Sequence, residues 1–128
     1  MKAFTLYQPY ASAIVLGLKK YETRSWATKY RGPLAIHASI KPLSPELKEL
    51  AKRYGIKDIE YGKIIAICEL QDCIEMTQDF IDKQSTTEKD FGIWTPGRYA
   101  WKLKVIKILR EPIPARGYQM LWNIDLIV

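Results

Sequence analysis

Short apolar runs, separated by glycine, proline and polar stretches, divide this chain into elements. Lys2 to Leu6 predicts a first strand. Pro9 suits the first turn of a helix, Ala11 to Leu16 continues it, and Gly17 provides the stop. Lys20 to Trp26 resumes an extended pattern, Arg31-Gly32-Pro33 predicts a turn, and Leu34 to Ala38 reads as a buried strand. Pro42 to Pro45 breaks the chain. From Glu46 to Tyr54 the spacing is helical, with Leu47, Leu50 and Ala51 on one face, Ser44 as a cap and Gly55 as the end. Lys63 to Met76 contains the run IIAICEL and is the best candidate for a central strand. Tyr99 to Leu109 alternates well enough to be another. Between them Thr77 to Pro96 reads as polar loop with a short helix near Gln78 to Lys83, and Gly117 to Val128 predicts a last turn and strand.

This order of elements fits neither a βαβ parallel sheet nor a helical bundle. It predicts an α+β fold: a compact mixed or antiparallel β-barrel with helices covering its openings. The 128 residues and an apolar fraction of 48% suffice for one core, so residues 1–128 are read as a single domain. The N-terminal run is interrupted by Gln8, Pro9 and Tyr10 and lacks a cleavage pattern, and no stretch reaches the roughly 18 apolar residues of a membrane span. A cytoplasmic protein with no membrane partner is expected. Cys68 and Cys73 read as reduced thiols rather than a bridge.

The net charge of +6 is unevenly distributed. Residues 1–53 and 98–128 are basic and residues 54–97 acidic, so two basic thirds meeting in space would form a face suited to phosphates. A solvated surface with a modest excess of charge is the alternative.

Gly17 to Trp26 is the densest run of candidate chemistry: Lys19, Lys20, Tyr21, Glu22, Arg24 and Trp26 follow directly on a helix stop. On a strand Lys20, Glu22 and Arg24 share one face, which fits a solvent face as readily as the mouth of a barrel. In the second case Glu22 can accept from the amine of a base, Arg24 can hold a phosphate, and Trp26 and Tyr10 can stack on a base. Gln8, beside Pro9, either reads a base edge or starts a helix. His37, the one histidine, reads as a satisfied buried imidazole, and Glu69 must be paired or face a cavity. No zinc pattern, phosphate-binding glycine loop or nucleophile elbow is present, so no metal or cofactor is expected.

The segments Thr5-Leu6-Tyr7-Gln8-Pro9-Tyr10-Ala11-Ser12, Gly17-x-Lys19-x-x-Glu22-x-Arg24-Ser25-Trp26 and Tyr30-Arg31-Gly32-Pro33-Leu34 resemble the ASCH domain family (activating signal cointegrator 1 homology) of the PUA-like superfamily. The resemblance continues through Glu69-Leu70-x-Asp72-Cys73, Tyr99-Ala100-Trp101 and Arg116-Gly117-Tyr118-Gln119 with Leu121-Trp122, with Met120 in place of a frequent glycine. It implies a PUA-like barrel with a cleft lined by the Gly-x-Lys-x-x-Glu-x-Arg segment and a role in binding RNA or other nucleic acid. Some members are amidohydrolases of N4-acetylcytidine that use a lysine, a threonine three residues later and a downstream glutamate. Lys19 matches the lysine and Glu69 the downstream glutamate. Glu22 stands at the threonine position, and a carboxylate beside Lys19 favours an ammonium clamp over a base.

Two functions from different classes therefore stand as expectations, with a third beside them. The first is a nucleic-acid or nucleotide-binding module in which Lys19, Lys20, Arg24 and Arg31 contact phosphate, while Gln8, Pro9, Tyr10, Glu22 and Trp26 shape the base site. The second is an amidohydrolase of a modified nucleoside using Lys19, Glu22 and Glu69. The third is a peptide or protein interaction module. The oligomeric state is left open.

Overall fold

Strand β1 (Lys2–Leu6) buries Ala3, Phe4 and Leu6, and the chain then enters a six-residue helix α1 (Tyr10–Val15) in the computed structural model, which describes residues 1–126. The Gln8 amide closes the start of this helix by accepting from Ser12 N–H at 2.9 Å while donating to the Glu60 carbonyl at 2.8 Å. At the other end Gly17 adopts φ +77°, its N–H reaches the Ile14 carbonyl and that of Leu18 reaches Ala13, the paired bonds of a Schellman stop. The reversal delivers Lys19 beneath the helix, and its N–H also approaches the Ala13 carbonyl.

Strands β2 (Tyr21–Arg24) and β3 (Gly32–Ala38) follow, then helix α2 (Pro45–Arg53), with Ser44 accepting from Leu47 N–H as the sequence predicts. The two longest strands are β4 (Lys63–Glu75) and β5 (Tyr99–Pro114), β5 running past the predicted end at Leu109. Between them the expected short helix forms as α3 (Gln78–Asp82), and a second, α4 (Thr86–Asp90), stands where the sequence predicts loop. Each is capped by a hydroxyl, Thr77 on Phe80 N–H and Ser85 on Glu88 N–H. The predicted final strand contracts to β6 (Trp122–Asn123), and its last positions, 127–128, lie outside the described residues.

The strands form one mixed sheet in the order β2-β5-β4-β3-β1-β6, with β1 and β3 parallel and the other neighbours antiparallel. The expected closed barrel is not formed. Closure needs backbone pairing between the β2 end of the sheet and the β1/β6 end, and β2 has only four residues before the chain turns away at Ser25. A side chain spans the seam instead: Arg24 Nη2 donates to the Thr5 carbonyl of β1 at 3.1 Å.

The main core lies between the inner face of the sheet and α1. Trp101 is its centre, fully buried, stacked on Phe4 at 5.5 Å and met edge-on by Trp26 at 4.8 Å. A large side chain buried in this way contributes roughly 1.5–3 kcal/mol. A second cluster on the other face gathers Ile64, Ile67, Leu109 and Trp122. Both cysteines are free, and burial pushes the Cys68 thiol up to about 12. Among the described residues no helix is long and apolar enough to cross a membrane.

Candidate functional site

The unclosed seam opens into a cavity of about 740 Å³, lined on one side by Glu22, Arg24 and Trp26 and on another by Arg116 to Met120, with Thr5 and His37 from the sheet between. Its charged lining is lopsided. Arg24, Arg98 and Arg116 face one carboxylate, Glu22.

That carboxylate is already occupied. Glu22 Oε1 lies 3.3 Å from Lys19 Nζ and accepts from Thr23 N–H at 3.1 Å, while Oε2 pairs with Arg24 Nη2 at 3.0 Å. Lys19 is 2% exposed and also donates to the Phe91 carbonyl, with the Tyr10 ring 5.8 Å away. Arg24 lies over the Phe4 ring at 5.1 Å. Its Nε is buried without a hydrogen-bond partner, so a donor remains unspent beside the cavity. Burial, aided by the Glu22 charge, pushes the Tyr10 hydroxyl above its usual value.

The chain around α4 holds this arrangement from behind. Glu88 is buried and accepts from the N–H groups of Lys20 at 2.7 Å and Tyr21 at 3.4 Å, fixing the start of β2. Burial raises its pKa, against the lowering effect of those bonds and of the nearby lysines. Thr23 Oγ1 accepts from Ile93 N–H, and Gly92 packs so close to Thr23 that a Cβ there would sit 2.9 Å from its methyl. The Ser85-x-x-Glu88 spacing was the available sequence signal for this element. A capping box would send the Glu88 carboxylate back to Ser85, whereas it reaches across to β2.

On the opposite side His37 fastens the segment after β5. The Ala115 carbonyl can only accept, so His37 Nε2 carries the proton and donates to it at 2.7 Å, and the Thr5 hydroxyl donates to Nδ1 at 3.1 Å. Burial holds this imidazole below its usual pKa although the Ala115 bond opposes the shift. Gly117 is the close approach: a Cβ would lie 2.7 Å from His37 Cε1 and from Thr5 Oγ1. Tyr118 then packs on Trp122 at 5.4 Å, and Arg116 lies over the Tyr118 ring at 5.3 Å.

Of the residues expected at the site, Tyr10, Glu22, Arg24 and Trp26 line the cavity. The others do not. Lys19 is joined to it through Glu22, and Lys20 projects into solvent from the end of the turn. Gln8 and Pro9 are engaged at the start of α1, with both ends of the Gln8 amide consumed. Arg31 is held by the Thr28 and Tyr30 carbonyls and lies 3.7 Å from Asp72. Glu69 sits in the middle of β4 opposite Pro33 and Lys104, so Lys19, Glu22 and Glu69 do not converge on one reaction centre. Sequence reasoning missed Arg98 and Arg116 as cavity residues. For Arg116 the signal was the Arg-Gly-Tyr-Gln run, whose glycine marks a close approach. Among the described residues no group of three His, Cys, Asp or Glu is placed to hold a metal ion.

Comparison with known proteins agrees with this architecture. Activating signal cointegrator 1 from Homo sapiens and from Mus musculus are each 30% identical to this chain over 134 aligned positions that cover 94% of it. The chain spans about 22% of the length of those relatives. A crystal structure of an ASCH protein from Zymomonas mobilis superposes with a TM-score of 0.63 over 97% of this chain and 87% of that one, at 17% identity, a likeness of fold. The sequence pattern of the ASCH domain matches residues 4–113, a stretch that contains the Lys19–Glu22–Arg24 chain together with all of β4 and β5 up to Ile113, and the protein belongs to the ASCH domain family.

Proposed function

We propose that this domain binds nucleic acid, RNA first among the candidates, by holding a nucleotide unit in the seam cavity. The observation that carries the reading is the cavity lining: three arginines, one carboxylate already neutralised by two cations, and the aromatic rings of Tyr10, Trp26 and Tyr118. A volume of about 740 Å³ lies within the ~300–1,000 Å³ typical of ligand sites. Phosphate contact falls to Arg24, Arg98 and Arg116, the three guanidinium groups on the cavity lining. Trp26 and Tyr10 offer base-stacking surface. Glu22 orders Arg24 and is not free to read a base edge.

The test is retention of single-stranded RNA as a function of salt. Three arginine–phosphate contacts predict a slope of about −2 in log K against log salt. Arg24→Ala and Arg116→Ala each flatten it. Salt-insensitive retention, or wild-type binding by both variants, overturns the proposal.

Hydrolysis of N4-acetylcytidine-type amides is the second reading. It asks for a base or nucleophile facing the cavity. Lys19 lies outside the lining and spends its donors on Glu22 and Phe91, and Glu69 is remote from it. Incubation with N4-acetylcytidine followed by chromatography decides: cytidine produced by the wild type and abolished by Lys19→Ala would restore this reading.

A further inference from the structure

β5 is paired along one edge for most of its length and along the other for a quarter of it. β4 pairs with Tyr99 to Ile108, Ile106 excepted, and again with Ile113 and Pro114, whereas β2 covers only Tyr99 to Lys102, with one more bond from Leu103 N–H to the Lys20 carbonyl. From Lys104 to Glu111, among the described residues, no backbone or side-chain hydrogen bond reaches that outer edge. An unpaired strand edge is a template for another strand.

Three further features set what can occupy it. The β4–β5 register slips at Ile106, which has no partner between Val105 and Lys107, and the bulge leaves Ile106, Lys107 and Ile108 exposed in succession. Ile106 and Ile108 are 56% and 57% exposed, and beside Ile108 a groove of about 190 Å³ runs between β5 and α1, lined by Val15, Leu16, Leu109 and Pro112. The edge is basic. Lys104, Lys107 and Arg110 are exposed along it; Glu69 on β4 stands opposite Lys104, Glu111 ends the run, and Lys57, Asp58 and Glu60 rim the far side of the groove.

We propose that the outer edge of β5 from Lys104 to Arg110 is a docking site for an extended acidic segment of a partner protein, added to the sheet as a further strand. The segment alternates carboxylates with aliphatic residues: backbone bonds run along the free edge, carboxylates meet Lys104, Lys107 and Arg110, and an aliphatic side chain enters the groove beside Ile108. A second copy of this chain is disfavoured, because pairing two such edges sets lysines and arginines against each other. The surface is separate from the seam cavity and shares none of its lining residues.

The probe is a short fluorescein-labelled peptide alternating glutamate with valine, titrated with the full chain and followed by polarisation. Saturable binding is expected. It should weaken at least about tenfold when the amides along one edge of the peptide are N-methylated, and by a similar factor in the double variant Lys104→Glu, Lys107→Glu. Arg24→Ala, in the cavity, should leave it unchanged. The proposal falls if the peptide does not bind, or if the N-methylated peptide binds as well, which would reduce the contact to charge alone. It also falls if the wild type dimerises through this edge and Ile108→Asp abolishes the dimer, or if the double variant loses single-stranded RNA while keeping the peptide.

Discussion

The two sides of the seam cavity are built from similar residues and do different work. On the β2 side, buried Lys19 and Glu22 and half-buried Arg24 form a chain of charges that partner one another and nearby carbonyls inside the protein. On the side after β5, Arg116 is exposed, lies over the Tyr118 ring, and is carried by a segment fastened through His37. The first side spends most of its charge on holding an unclosed sheet together, with Arg24 its one cation on the cavity lining. The second leaves charge available to a ligand. A cluster dense enough to catch the eye in sequence is therefore chiefly a structural member, and the exposed Arg116 is better placed for contact than Arg98, whose guanidinium donates to the Ile93 and Thr23 carbonyls.

The contrast can be broken most forcefully at Glu22. Glu22→Ala strands a buried ammonium and unpairs Arg24, and the cost expected for removing one member of such a buried pair is about 3–5 kcal/mol, read as a lowered urea midpoint. If the midpoint barely moves, the β2 side is not the structural one. Gly117→Ala comes next. The new Cβ presses on the His37 ring and Thr5, so a loss of roughly 1–3 kcal/mol should appear in the same measurement.

Arg116→Ala tests the opposite side. Its stability should stay within about 0.5 kcal/mol of the wild type, while affinity for single-stranded RNA falls about tenfold, equivalent to about 1.4 kcal/mol. Loss of stability without loss of binding would reverse the assignment of the two sides. The smallest effect concerns pH. Burial holds the folded His37 below its usual value, so between the folded pKa and roughly pH 6.5 the unfolded chain binds the proton that the folded one refuses. The contribution of neutral His37 is thus fully present above that window and is lost as pH falls into it. Glu88, raised by burial, acts with the opposite sign as pH rises above 4.5. Comparing wild type with His37→Gln cancels it, and the wild type should lose more stability than the variant on going from about pH 7.5 to about pH 5.5, by less than about 1 kcal/mol.

Much of the fold was legible because its signals are local. The Gly17 stop, the Ser44 cap and the apolar run of β4 each rest on bonds or periodicities spanning a few residues. Helix α4 was read as loop because its polar surface hid the Ser85 cap, and the barrel was read as closed because alternation along a strand says nothing about whether the end strands meet.

By itself the sequence determined the positions of the main strands, the stops and caps of α1 and α2, and the presence of a lysine, a glutamate and an arginine directly after a glycine stop. Tertiary structure decided what those charges do. Besides nearby Glu22, Lys19 is held by a carbonyl 72 residues away, Glu88 reaches back 68 residues to the start of β2, and His37 holds a carbonyl 78 residues ahead. Whether a charge is spent or free depends on such distant acceptors. Packing brings them together, and no spacing along the chain can specify them.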